Sequence, residues 1–271
     1  MTTKVLLAGC GNMGFAMLQG WLKSGLVKGP KTFIVEPVAE LRQRAADLGS
    51  DVAADARDLP ASLKPELVIV AVKPQVIREV VPHYKRFVAT GATFLSIAAG
   101  TKIATFEDLL GAQAPIVRCM PNTPASIGKG MMVTFANGHV RAAAMDFINR
   151  LLAASGAVAA IPTEDLMDAV TAVSGSGPAY VFHFIEALTA AGEKAGLPAS
   201  TARLLAMQTV SGAGALAAES GEEPGKLREQ VTSPNGTTAA ALAVLMGEDR
   251  LKNLVTDAVE AARLRSVELG K

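Results

Sequence analysis

Cysteine is almost missing from this 271-residue chain, which has only Cys10 and Cys119. A disulfide scaffold is therefore excluded, and the chain reads as a protein of a reducing compartment. Aromatic residues make up 4% while half of all residues are hydrophobic, so the core must be built from Ala, Val, Leu, Ile and the 10 Met. That palette suits helices packed closely on a sheet. No charge sign dominates: 26 Lys and Arg face 25 Asp and Glu, for a formal charge of +1. Without a basic stripe interleaved with aromatics, nucleic acid is not an expected partner. Long apolar runs are missing too, with no stretch of ~18 residues that could span a bilayer and no basic leader with a cleavage site. The expectation is a soluble, cytoplasmic protein without a membrane partner. The three histidines, His83, His139 and His183, lack metal-ligand spacing, so no metal site is expected.

Short apolar runs alternate with amphipathic ones from Lys4 to about Ile161, the rhythm of β-α-β units and a parallel sheet. Strands are predicted at Lys4 to Gly9, Thr32 to Glu36, Leu67 to Val72, Thr93 to Ala98 and Ile116 to Met120, with edge strands at Met131 to Ala136 and Ala157 to Ile161. A helix is predicted over Asn12 to Ser24. After Pro162 the strand signals stop, and Ala-rich helical windows follow one another to Glu268. The predicted architecture is α/β: a Rossmann-type, doubly wound parallel sheet over residues 1–162, then an all-helical domain over residues 163–271. The many Ala and Gly of the second part leave modest apolar area per helix, so its helices are expected to bury their stripes against another copy.

Gly9, Gly11 and Gly14 stand in G-x-G-x-x-G spacing after the first strand and at the opening of a helix. Gly9 permits the tight turn, Gly11 lets a pyrophosphate approach the backbone, and Gly14 lets helix and strand pack closely. The motif in this context points to a dinucleotide. Cys10, inside the loop, reads as a small buried filler. Glu36 closes the second strand, where an acidic side chain accepts hydrogen bonds from an adenosine ribose and repels a 2′-phosphate; the alternative is a solvated charge at a strand end. Arg42 and Arg44 follow closely enough to meet such a phosphate. The balance favours NAD over NADP.

Three loops follow strand ends on the ligand side of such a sheet: Ala71 to Gln75, Ser96 to Gly100 and Arg118 to Gly128. Asn122 and Thr123 offer an amide and a hydroxyl to a nicotinamide carboxamide or a substrate, or else simply make turns beside prolines. In the helical half, Val173 to Tyr180 and Thr232 to Thr238 gather small polar residues at expected helix starts. Such starts hold a carboxylate through backbone N–H groups, and the plain alternative is capping. No Lys or His stands in either cluster to take a hydroxyl proton. Reduction of a cyclic imine needs less help, because its nitrogen can be protonated from solvent.

The segments AVKPQ, SIAAG, RCMPNTP, SGSGPAY and VTSPNGTT, in this order behind GCGNMG, resemble the pyrroline-5-carboxylate reductase family across the whole chain. The resemblance implies reduction of 1-pyrroline-5-carboxylate to L-proline with NAD(P)H, and a helical domain that dimerises, with assembly up to a pentamer of dimers. It implies that Gly11, Asn12 and Met13 line the cofactor phosphates, that Val72, Lys73 and Pro74 bound the adenosine side, and that Ala99, Pro121 and Asn122 lie near the nicotinamide. Ser176, Ser233, Gly236, Thr237 and Thr238 would hold the substrate, with Thr238 at the ring nitrogen. Two positions depart from the family pattern: Glu36 stands where a small hydroxyl residue is common, and Asn235 where glycine is frequent. A β-hydroxyacid dehydrogenase would need a lysine where this chain has Val181 and Phe182. A cofactor-sensing protein without catalysis would show an eroded substrate loop, whereas Ser233 to Thr238 is intact.

Overall fold

The computed structural model describes residues 4–270. Eight strands form one sheet: β1 (Val5–Ala8), β2 (Thr32–Val35), β3 (Asp51–Ala53), β4 (Leu67–Val70), β5 (Thr93–Ser96), β6 (Ile116–Met120), β7 (Gly130–Ala136) and β8 (Gly156–Ala160). Their order is β3-β2-β1-β4-β5-β6-β7-β8, and the β6–β7 pair alone runs antiparallel. The strand order reverses direction between β1 and β4, which places a ligand crevice at their carboxyl ends. β1, β2, β4 and β5 are buried at every position, as parallel strands covered on both faces must be. The three-residue β3 was not expected from the sequence, because Asp51 is exposed and the segment is too short to show periodicity.

Helices follow as α1 (Asn12–Lys23), α2 (Ala39–Asp47), α3 (Ile77–Val80), α4 (Ile103–Leu110), α5 (Ala142–Ala153), α6 (Met167–Val170), α7 (Gly177–Lys194), α8 (Ala199–Ser220), α9 (Pro224–Gln230), α10 (Thr237–Met246) and α11 (Arg250–Leu269). One face of the sheet packs on Met17, Leu18 and Trp21 of α1 and on Ile148, Leu151 and Leu152 of α5. The other packs on Ile77, Tyr84, Phe87 and Phe106. The core is thus mostly aliphatic, with its few aromatics fully enclosed.

The chain divides into two compact units: residues through Ser176 with those from Ala262 onward, and Gly177–Ala261. The boundary therefore lies beyond the expected position after residue 162. α6 and the turn that follows it stay with the sheet, and so does the end of α11, where the Ser266 hydroxyl donates to Asp168 Oδ1 at 2.6 Å. No helix among the described residues is long and apolar enough to cross a membrane.

Taken alone, the second unit has almost no interior. Ala202 and Ala206 are its buried hydrophobic residues, while Phe182, Leu204 and Leu254 are 58%, 67% and 67% exposed. Apolar area of this extent on so small a unit requires a covering surface. Light scattering at micromolar concentration should return at least twice the chain mass, and Leu204→Glu together with Leu254→Glu should lower it; a stable wild-type monomer would contradict this account.

Candidate functional site

The glycine loop between β1 and α1 has the geometry its spacing calls for. Gly9 has φ +90°, and a Cβ there would lie 2.8 Å from the Ala71 carbonyl oxygen; one on Gly14 would lie 2.7 Å from the Gly9 carbonyl oxygen. Both positions exclude a side chain. Gly11 faces open space and is the N-cap of α1, with no side chain capping the helix. The first-turn N–H groups of α1 are left facing outward beside a backbone that a bulky anion can approach, so the loop fits a dinucleotide diphosphate. Asn12 is exposed and Met13 partly so at this turn.

Glu36 is not a solvated charge. It is 5% exposed; its Oε2 accepts from the Cys10 N–H at 2.7 Å and its Oε1 from the Val38 N–H at 2.9 Å. The carboxylate therefore ties the glycine loop to the end of β2. Charge-assisted bonds of this kind are short and strong. The neighbouring cations are committed as well. Arg42 Nη1 donates to the carbonyl oxygens of Glu36 and Pro37 at 2.8 and 3.0 Å, and the Arg44 guanidinium lies 3.9 Å over the Phe15 ring. Both arginines are thus engaged within the chain. Burial, with the Glu36 charge beside it, pushes the Cys10 thiol up to about 11, and burial pushes Cys119 up to about 12. Both are inert thiols.

At the carboxyl ends of β1, β2 and β4 a cavity of about 310 Å³ opens between Gly9, Val35 and Val72, with Asp55 and Tyr84 on its wall. Val72 is partly buried, whereas Lys73 and Pro74 are exposed at the start of a short turn. Asp55 is engaged by Arg57 through Nε and Nη2 at 2.8 and 2.7 Å, which holds its carboxyl well below the usual range.

Farther along the rim, Ala99 is exposed after β5 and Pro121 is buried after β6. Asn122 does not present a free amide. Its Oδ1 accepts from the Met131 N–H at 2.8 Å and its Nδ2 donates to the Ser174 carbonyl at 3.0 Å. The side chain fastens the loop to β7 and to the segment before α7.

That segment also differs from expectation. Residues Thr171–Gly175 form a π-type turn that carries the chain from α6 toward α7, and the Ser176 N–H donates to the Thr171 carbonyl at 2.8 Å. No open helix start exists at Ser174, whose hydroxyl bonds back to the Val170 carbonyl at 3.0 Å. Gly175 allows this close packing, since a Cβ there would overlap the Met120 side chain. The turn brings Ser174 and Ser176 to the β6 rim, and such turns recur at functional sites. Arg118, buried on β6, pairs with Glu164 at 2.5 Å, and the same Glu164 oxygen accepts from the Ile103 N–H at 2.8 Å. This anchor was missed in the sequence because its partners lie 46 residues apart.

In the second unit α10 starts cleanly after Gly236, with no side-chain cap. Asn235 has φ +60°, the left-handed conformation that explains why glycine suits this position. A Cβ on Gly236 would overlap the Ser233 hydroxyl and lie 3.1 Å from the Ser233 carbonyl oxygen, so a side chain there would require Ser233 to shift. Thr238 is half-buried and Thr237 exposed. The hydroxyls of Ser233, Thr237 and Thr238 cap nothing, and the first-turn N–H groups of α10 meet no capping side chain.

Residues 164–269 match the family described as pyrroline-5-carboxylate reductase dimerisation, and residues 4–100 match NADP oxidoreductase, coenzyme F420-dependent. A pyrroline-5-carboxylate reductase of Pseudomonas aeruginosa is 40% identical over 271 residues, covering 100% of this chain and 98% of its own. The chain belongs to the pyrroline-5-carboxylate reductase family. A solved reductase of the family from Coxiella burnetii superposes with a TM-score of 0.93 at 34% identity over 100% of both chains. Another from Plasmodium falciparum, with NADP bound, gives 0.84 at 30% identity over 99% of this chain and 98% of its own. The family resemblance carried by the loop motifs is thereby borne out, as are the Rossmann-type sheet and the helical second part. The dimerisation segment of the family covers the helices found here with exposed apolar faces.

Glu36→Ala removes the acceptor of two backbone N–H groups, one of them buried. It should destabilise the ligand-free protein by about 1 to 3 kcal/mol in urea unfolding; an unchanged midpoint would show that water replaces the carboxylate at no cost.

Proposed function

We infer that this chain reduces 1-pyrroline-5-carboxylate to L-proline, the last step of proline biosynthesis, with NAD(P)H as reductant. The observation that carries the reading is full-length similarity to reductases of this name, joined to an intact glycine loop and an uncapped α10 start. When bound, NAD(P)H supplies a hydride. Gly11, Asn12 and Met13 hold the diphosphate on the α1 start, and the absence of side chains at Gly9 and Gly14 keeps that backbone close. Glu36 fixes the loop's shape from beneath. Val72, Lys73 and Pro74 bound the adenosine side, and Ala99 and Pro121 border the nicotinamide, while Asn122 positions its loop rather than donating to the ring.

The substrate carboxylate is assigned to the N–H groups of α10 with Ser233, Gly236 and Thr237. Its ring nitrogen is assigned to Thr238. The nitrogen takes a proton from solvent, C=N becomes an iminium, and hydride at the imine carbon completes the CH–NH bond of proline. A neutral hydroxyl serves both nitrogen states because it donates and accepts. No metal or covalent intermediate enters this scheme. The exposed helices of the second unit support a homo-oligomer, and we extend this to a dimer that assembles further into a pentamer of dimers. The two buried thiols support a cytoplasmic location.

Thr238→Val keeps shape and removes the polar group. The expected result is a fall in kcat/KM of roughly tenfold to a hundredfold, about 1 to 3 kcal/mol, with NAD(P)H affinity nearly unchanged. Unaltered turnover would place the nitrogen elsewhere. Cofactor preference follows from the β2 end, where Glu36 is buried and Arg42 and Arg44 are committed: kcat/KM should favour NADH. Glu36→Ser should move the ratio toward NADPH by roughly tenfold, about 1.4 kcal/mol. Steady-state assays with both cofactors check this, and a wild-type enzyme that strongly prefers NADPH would refute it.

A further inference from the structure

The loop after β5 carries Ala99, which borders the nicotinamide in the proposed arrangement, and little within the loop holds it. Its ends are tied: the Ala98 N–H donates to Ser96 Oγ at 3.3 Å and the Ile103 N–H to Glu164 Oε1 at 2.8 Å. Between them, none of the backbone N–H groups of residues 99–102 has a hydrogen-bond partner among the described residues. Gly100 stands in the middle in a left-handed conformation, φ +73°. A loop without internal bonds keeps one shape only if something packs on it. A cavity of about 70 Å³ lies among Gly100, Arg118, Asp168 and Gly270, so the sheet rim does not fill that side.

The end of α11 supplies the missing support. A Cβ on Gly270 would lie 2.8 Å from the Gly100 carbonyl oxygen, so the two backbones are in direct contact. One turn earlier, Ser266 fixes where the helix ends. It is 6% exposed; its hydroxyl donates to Asp168 Oδ1 at 2.6 Å across 98 residues, and its carbonyl accepts from the Gly270 N–H at 3.1 Å. A hydroxyl-to-carboxylate bond this short is charge-assisted and strong. Contacts thus run without a break from Asp168 through Ser266 and Gly270 to Gly100, all inside the first unit.

We propose that Ser266 is a positioning residue for hydride transfer: it pins the end of α11 to Asp168, so that Gly270 holds Gly100 and keeps Ala99 against the nicotinamide. The proposal rests on the nicotinamide-dependent reduction inferred above. Ser266 touches neither substrate nor cofactor in it, and cofactor affinity stays with the glycine loop.

The test compares the whole wild-type enzyme with Ser266→Ala, Ser266→Thr and Gly270→Ala. Single-turnover oxidation of NADH by pyrroline carboxylate reads hydride transfer, nicotinamide fluorescence reads cofactor dissociation, and urea unfolding reads stability. Ser266→Ala should slow hydride transfer about tenfold and change the NADH dissociation constant by less than about twofold. Ser266→Thr keeps the hydroxyl and should recover most of the rate. Gly270→Ala leaves the Ser266 hydroxyl in place and wedges the two backbones apart, so it should slow the same step by a similar factor even if Ser266→Ala fails to fold. A lower urea midpoint with an unchanged single-turnover rate in Ser266→Ala would show a merely structural bond and overturn the proposal. An unchanged rate in Gly270→Ala would overturn it as well. A wild type that oxidises no NADH with pyrroline carboxylate would refute the reaction itself, and the positioning role with it.

Discussion

A single buried carboxylate holds the cofactor end of this protein in shape. Glu36 accepts from Cys10 in the glycine loop and from Val38 just beyond β2, so one carboxylate ties the loop to the end of that strand. The constraint is severe because Gly9 and Gly14 are pressed against neighbouring backbone, which leaves the turn no alternative path. The same carboxylate stands at the end of β2, the position the proposed cofactor arrangement gives to the adenosine ribose. That coupling explains why the β2 end tolerates committed arginines: their work is to brace the chain around Glu36 and Phe15.

The helical unit works by the opposite logic. It keeps little apolar surface for itself and shows the rest, so its stability belongs to the assembly. What it keeps in order locally is the start of α10, where Asn235 in a left-handed conformation and the bare Gly236 turn the chain into the helix without a capping side chain. A helix start left uncapped costs stability of about a kcal/mol.

Much of this was legible in the chain because the signals were local. G-x-G-x-x-G after an apolar run, the uniformly apolar β4 and the Ala-rich windows after Pro162 each depend on residues a few positions apart. β3 was not legible, since three half-exposed residues carry no period. The helix start near Pro178 was legible, but the π-type turn at Thr171–Gly175 that leads into it was not, because nothing local shows that the Ser176 N–H is taken by Thr171. Asn122 was left open between a ligand amide and a turn residue, and the bonds that engage it come from Met131 and Ser174, far along the chain.

By itself, the sequence determined the fold class, the place of the diphosphate loop and the family, all of which follow from periodicity and short motifs. Only the tertiary structure decided how the polar side chains are spent. Glu36 pairs across 26 residues, Arg118 across 46 and Asn122 across 52. Whether a carboxylate, guanidinium or amide remains free for a ligand depends on which backbone groups arrive beside it, and those are fixed by packing of the sheet rather than by neighbours in the chain.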